Sequence, residues 1–306
     1  RFRPMSLARV LGAIGRVCIT AGVLILLFVA YQLWGTGLRE AQAQRALEDE
    51  FEERLEAVLD RAGADGPGSS TTTTAPPPPA LAEGDAVARI RIPDIGVDKI
   101  VVEGVSLEDL KRGPGHFPSS PLPGQPGNAA IAGHRTTYGA PFHRLDELDH
   151  GDEIEVTTLQ GTFRYEVREQ LIVAPDQVEV LDDFGDDRLT LVACHPKYSA
   201  RQRIVVVAAL VGDAAPAPEV PPASGAGETR DRSPGLDALD AGLSGESASA
   251  LPAVLLGVAC ALIWLAAWLL GRLWRRWPAY LLGLPVFLVV LFMFFENFSR
   301  LLPANF

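Results

Sequence analysis

The sequence predicts an all-β domain, a closed barrel or a sandwich, over residues 85–212 of a 306-residue chain. Three observations predict it. Short β-prone runs follow one another at 87–92, 99–102, 129–132, 153–158, 162–173, 189–193 and 203–211, with Gly- and Pro-rich turns between several of them. Helical patterns are scarce, limited to short stretches at 106–112 and 141–148. The region is also long enough to bury one core, and many short strands with few helices is the pattern of a barrel or sandwich.

Ahead of the domain, residues 17–34 carry no charge and are about long enough to cross a hydrocarbon core of roughly 30 Å. Arg1, Arg3, Arg9 and Arg16 precede this run, which places that side in the cytoplasm and exports the chain beyond the run. Ala41-Gln42-Ala43 resembles a signal-peptidase site, but the apolar run exceeds a usual signal core of roughly 7–15 residues. An uncleaved anchor over residues 1–37 is therefore expected, with the natural start upstream of Arg1 or at Met5. Residues 38–84 form a stalk and linker. Leu47, Phe51, Leu55 and Leu59 recur every fourth residue and line one face of a helix, expected to be a solvated juxtamembrane helix rather than a coiled coil. Residues 63–80, GADGPGSSTTTTAPPPPA, cannot form a core and read as a spacer, flexible and then stiffened by proline.

After the domain, residues 213–250 return to Pro, Ala, Gly and Ser, a second linker. Residues 251–271 and 279–295 are two further uncharged runs within a C-terminal segment, 251–306. The turn between them, Arg272-Leu273-Trp274-Arg275-Arg276-Trp277, is basic and belongs in the cytoplasm. The expectation is a three-span protein of the cell membrane with its folded domain outside.

The formal net charge is -11, and residues 85–212 carry 20 acidic against 13 basic side chains. No basic stripe with interleaved aromatics is present, so nucleic acid is not an expected partner. CxxC and HExxH are both missing, and no metal or cofactor is expected. Asp182, Asp183, Asp186 and Asp187 lack the spacing of a calcium loop and read as a solvated acidic loop.

The chemistry concentrates in residues 188–207, RLTLVACHPKYSARQRIVVV, which read as strand, cysteine, loop, arginine, strand. Cys194 is the one cysteine outside the apolar end runs, since Cys18 and Cys260 lie within them. It has no disulfide partner in its domain. It is either a nucleophile or a small buried hydrophobe. His134 lies just past a predicted strand in Asn128-Ala129-Ala130-Ile131-Ala132-Gly133-His134-Arg135. His195 adjoins Cys194, but consecutive strand residues face opposite sides, so it is poorly placed as a partner if the strand runs through it. Arg203 opens the next strand and reaches back beside the thiol if the two strands form a hairpin.

These segments resemble the sortases, membrane-anchored cysteine transpeptidases of Gram-positive bacteria. The family's TLxTC motif stands here as Thr190-Leu191-Val192-Ala193-Cys194, its histidine as His134 and its arginine as Arg203. Residues 194–203, CHPKYSARQR, are similar to the class E branch of actinobacteria. The likeness spans residues 86–211. Ala193 departs from it, standing where the family has threonine. The resemblance implies an eight-stranded barrel in which Cys194 is nucleophile, His134 general acid and base, and Arg203 oxyanion stabiliser. It also implies that Ala193, His195, Arg135 and Tyr138 border the substrate. The implied partners are exported proteins bearing an LPxTG-type sorting signal, LAxTG for class E, and an amine of a peptidoglycan precursor or cross-bridge, with membrane lipid around the spans. Two other readings are a pilus-polymerising sortase that uses a pilin lysine, and a membrane-tethered binding or scaffold barrel with a degenerate site. The C-terminal spans lie outside the enzyme fold.

Overall fold

The computed structural model describes residues 7–64, 81–216, 249–273 and 276–299. Arg1 and Arg3, nearly all of the 63–80 spacer, residues 217–248 of the second linker and part of the basic turn lie outside them. The chain divides into two units, one holding the barrel and one holding apolar helices.

The barrel has eight strands: β1 (Ala86–Ile92), β2 (Val97–Glu103), β3 (Gly115–His116), β4 (Asn128–Ala132), β5 (Glu153–Thr158), β6 (Gly161–Val173), β7 (Arg188–His195) and β8 (Gln202–Val211). They close in the order β1-β2-β3-β4-β7-β8-β6-β5, with β5 pairing back to β1. The domain is therefore a closed barrel and not a sandwich. The β2–β3 and β4–β7 pairs are parallel. The sequence pattern misses β3, because two residues carry no periodicity to detect. The 106–112 and 141–148 stretches yield one four-residue helix, Leu107–Leu110, and a single 3-10 turn, Leu145–Glu147.

Side chains alternate between the faces of each strand. Leu189, Leu191 and Ala193 of β7 and Ile204, Val206 and Ala208 of β8 point into the core with Ile90, Ile131, Ile154 and Tyr165. Their alternates Val192, Val205 and Val207 are buried on the outer face against Val173, Val180 and Leu181. With both faces covered, these strands read as unbroken apolar runs rather than as alternating ones. Ala130 and Ala132 of β4 are likewise on the outer face, clustered with Cys194.

Helix α1 (Leu7–Ala30) is followed by a π-helical turn, Tyr31–Gly35, and by α2 (Thr36–Ala64). The four-residue repeat expected to face water on α2 does not. Leu47 and Phe51 are buried against Ala86, Ile100 and Val102 of the barrel, with Leu55 and Leu159 at the margin; full burial of each stabilises by about 1.5–3 kcal/mol. Leu59 alone of the four stays well exposed. Gln44 ties α2 to the sheet through its side-chain amide, which donates to the carbonyls of Ile100 and Arg112 (2.9 Å each) and accepts from the Ile100 amide (2.8 Å). An amphipathic repeat predicts that one face is covered, not what covers it.

The second unit comprises α1 with α3 (Leu251–Leu273) and α4 (Arg276–Ser299), joined through a small cluster of Tyr31, Cys260, Leu291 and Phe295. Leu251–Arg272 is long and apolar enough to cross a membrane; Ile14–Ala30 and Gly283–Ser299 are shorter apolar stretches. Large apolar side chains such as Leu255, Leu262, Leu284 and Val289 remain exposed on these helices.

Candidate active site

Pairing of β7 with β8 sets Cys194 directly opposite Arg203. Opposite residues in an antiparallel pair share a face, so the arginine lies beside the thiol, with Nη1 3.8 Å from Sγ. The same Nη1 donates to the carbonyls of Ala200 (2.9 Å) and Gln202 (3.2 Å), so the loop's own backbone fixes the guanidinium. Cys194 and Arg203 are both buried. The thiol faces away from the barrel interior and packs with Ala130, Ala132 and Phe117, under Leu181 and Ala200. Ala193, one residue earlier, points the other way into the barrel core.

The parallel β4–β7 pair brings up the histidine. Its last register is Ala132 with Val192, and the Gly133 amide extends the ladder by donating to the Val192 carbonyl at 3.0 Å. His134 follows Ala132 by two residues as Cys194 follows Val192 by two, so both sit at the same level and on the same face. Gly133 is required by crowding: a Cβ there would lie 2.7 Å from the Phe142 ring. The His134 ring is 0 % exposed, and neither of its nitrogens has a hydrogen-bond partner. It packs against the Tyr138 ring, with centroids 5.3 Å apart. Burial, with the Lys111 cation adding to it, lowers its pKa from 6.5 to about 4. His134 is therefore a neutral imidazole at neutral pH, able to accept a proton and then return it.

Arg135, expected to border the substrate, is tied into the protein by its own contacts. Its guanidinium is 1 % exposed, and Nη1 donates to the Cys194 carbonyl at 3.3 Å and lies 3.0 Å from His195 Nδ1. Nη2 pairs with Asp146 at 2.7 Å. The side chain clamps the end of β7 to the segment after β4. Strand β7 does run through His195, which turns that ring away from the thiol toward Arg135. Burial first and Arg135 second lower the His195 pKa. Burial pushes the Asp146 carboxyl up, but Arg135 outweighs it and holds it below the usual carboxylate range. Asp146 and His143, whose Nδ1 donates to the Arg135 carbonyl at 2.8 Å, have no motif to mark them; only the fold returns the 141–148 stretch to the site.

Among the described residues no group of three or more His, Cys, Asp or Glu side chains could hold a metal ion. In the acidic loop, Asp186 pairs with Arg188 (2.6 Å) and Asp187 accepts from the Gly127 amide (2.9 Å).

The buried, neutral histidine has a stability consequence. Between about pH 6.5 and 4 the unfolded chain takes up a proton that the folded chain refuses. Stability is therefore full above about 6.5 and falls as the pH drops toward 4, by about 3 kcal/mol in all. Thermal unfolding of the sheet, followed by circular dichroism across this window, should show a loss on acidification that His134→Phe largely removes. An equal loss in the variant would assign the acid sensitivity elsewhere.

A thiol, a neutral imidazole and a fixed guanidinium thus share one face at the ends of β4, β7 and β8. The family model described as the sortase domain matches residues 90–211, nearly the whole barrel. The chain belongs to the sortase family. Sortases are cysteine transpeptidases, and the class E likeness is matched among curated relatives. Sortase SrtE1 of Streptomyces coelicolor is 35% identical over 214 residues, which cover 63% of this chain and 55% of SrtE1. Sortase SrtE2 of the same organism is 29% identical over 236 residues, covering 69% of this chain and 86% of SrtE2. The solved structure of sortase E from Streptomyces avermitilis is 36% identical, with 43% of this chain and 91% of that one covered and a TM-score of 0.40. The chain thus spans little more than half the length of SrtE1.

Proposed function

We propose that this sortase is a membrane-anchored transpeptidase that cleaves an LAxTG- or LPxTG-type sorting signal between Thr and Gly and transfers the protein to a cell-wall amine. The observation that carries this reading is the fixed Arg203 Nη1 at 3.8 Å from Cys194 Sγ, on the face that also holds the neutral His134.

The steps balance on these three side chains. Cys194 sulfur attacks the threonine carbonyl carbon while His134 takes the thiol proton. The carbonyl oxygen gains negative charge, which the Arg203 N–H groups stabilise where it develops. The C–N bond then breaks, His134 returns its proton to the departing glycine amine, and a Cys194 thioester remains. An acceptor amine attacks the thioester and gives its proton to His134; the new amide forms, and the thiol is restored. Anchoring is supported by Leu251–Arg272, by the apolar stretches Ile14–Ala30 and Gly283–Ser299, and by their exposed leucines and valines. Three spans with the barrel outside the cell is the arrangement the charge pattern favours.

The test uses the full chain in detergent micelles with labelled LAxTG and LPxTG peptides and an added amine. Intact-mass spectrometry should find the N-terminal peptide fragment on Cys194, LAxTG preferred, and chromatography should find the amide product. No adduct together with a thiol that resists alkylation would replace this reading with the degenerate scaffold.

A further inference from the structure

The turn beside His134 is held in an unusual conformation. Tyr138, Gly139 and Ala140 have φ values of 50, 74 and 43°, three successive left-handed residues of which two are not glycine. Residues with a Cβ are disfavoured there, and such geometry persists only where the surroundings impose it. One hydrogen bond inside the turn, Ala140 amide to Thr137 carbonyl at 2.9 Å, closes it. Seated against it from outside is Glu40, a residue of α2 almost 100 positions earlier and outside the stretch that the family model matches. The Glu40 carboxylate lies so close to Gly139 that any Cβ at that position would overlap it.

Glu40 is itself firmly placed. It is 2 % exposed, and its carboxylate pairs with Lys99 of β2 at 2.6 Å. One turn further along α2, Gln44 binds the β2 backbone at Ile100. One turn beyond that, Leu47 enters the barrel's outer cluster. A carboxylate withdrawn from water is costly unless paired, so a helix that needed only to link a membrane to a barrel would have no use for one here. The contacts run without a gap from Lys99 to Glu40, to Gly139, and through Tyr138 to the ring of His134.

We propose that Glu40 is a positioning residue of this sortase, which holds the left-handed turn so that Tyr138 fixes the His134 ring, and that the working unit begins at α2 rather than at the barrel. The catalytic part of this inference rests on the transpeptidase reading; the mechanical part does not. Both are measured on the full chain in micelles. Hydrogen exchange of the 137–140 amides should quicken by about tenfold in Glu40→Ala, as the turn loses its outer support. kcat for peptide transfer should fall by about tenfold with KM changed by less than about twofold, since His134 is displaced while the peptide contacts remain. Glu40→Gln, which keeps the volume against Gly139, should restore most of both. Gly139→Ala should cost less in the Glu40→Ala background than alone, because the overlap has been removed. Unchanged exchange in Glu40→Ala would overturn the proposal, as would faster exchange with kcat unmoved. If the wild-type chain forms no acyl-enzyme, the exchange result still decides whether Glu40 holds the turn, and the transpeptidase reading falls by itself.

Discussion

Cys194→Ala is expected to form no acyl-enzyme and to lose transfer activity by on the order of 10⁴-fold or more, because the sulfur that carries the acyl group in the proposed mechanism is gone. The barrel should remain folded. The substitution deletes one sulfur from a cluster that already contains Ala130 and Ala132, a loss of about 1 kcal/mol for a small buried group. Intact mass after incubation with peptide reads the first effect, and the far-ultraviolet spectrum with its melting curve reads the second. Cys194→Ser is expected to fold equally well and to form no adduct at neutral pH, since a hydroxyl beside a single neutral imidazole is a much weaker nucleophile than a thiol. Transfer that survived in the alanine variant would sink the covalent mechanism outright.

Arg203→Ala should lower kcat by about 10²–10³-fold, the usual cost of removing an oxyanion donor, and leave KM nearly unchanged. The reason is local. The guanidinium is fixed by the Ala200 and Gln202 carbonyls before substrate arrives, so its remaining N–H groups need no reorganisation in the transition state. Arg203→Lys should rescue little, because an ammonium cannot hold both carbonyls and also present a planar fork to the oxyanion. Alkylation of Cys194 in both variants checks that the thiol is still in place. A lysine variant with near wild-type kcat would reduce the arginine to a nearby positive charge.

The strands are legible because their residues are: β-branched runs bounded by glycine, proline and charge at 153–158 and 203–211 correspond to β5 and β8 within one residue at each end. Cys194, His134 and Arg203 are legible as residue types in a motif order, with Cys194 marked by being alone in its domain. Period-two alternation already turns His195 from the thiol's face, and strand β7 does continue through it. Arg135 is different. From sequence it is a charged side chain next to the histidine, expected to border the substrate, and nothing local says that it is buried. The carbonyls of Cys194 and His143, the His195 ring and Asp146 together explain why it can be buried.

Seven of the eight strands, the apolar ends and the candidate side chains are marked in the sequence, because these depend on local periodicity, charge and chemistry. Which of them meet depends on how distant strands pair. The parallel register of β4 on β7 sets His134 level with a cysteine 60 residues away, and the β7–β8 register sets Arg203 across from it. The same holds for α2. Its repeat of Leu47 and Phe51 declared a buried face, but a repeat has no partner until the barrel's Ile100 and Val102 supply one. That docking then carries Glu40 to a turn that no local rule connects with it, because close packing couples residues by volume and not by distance along the chain.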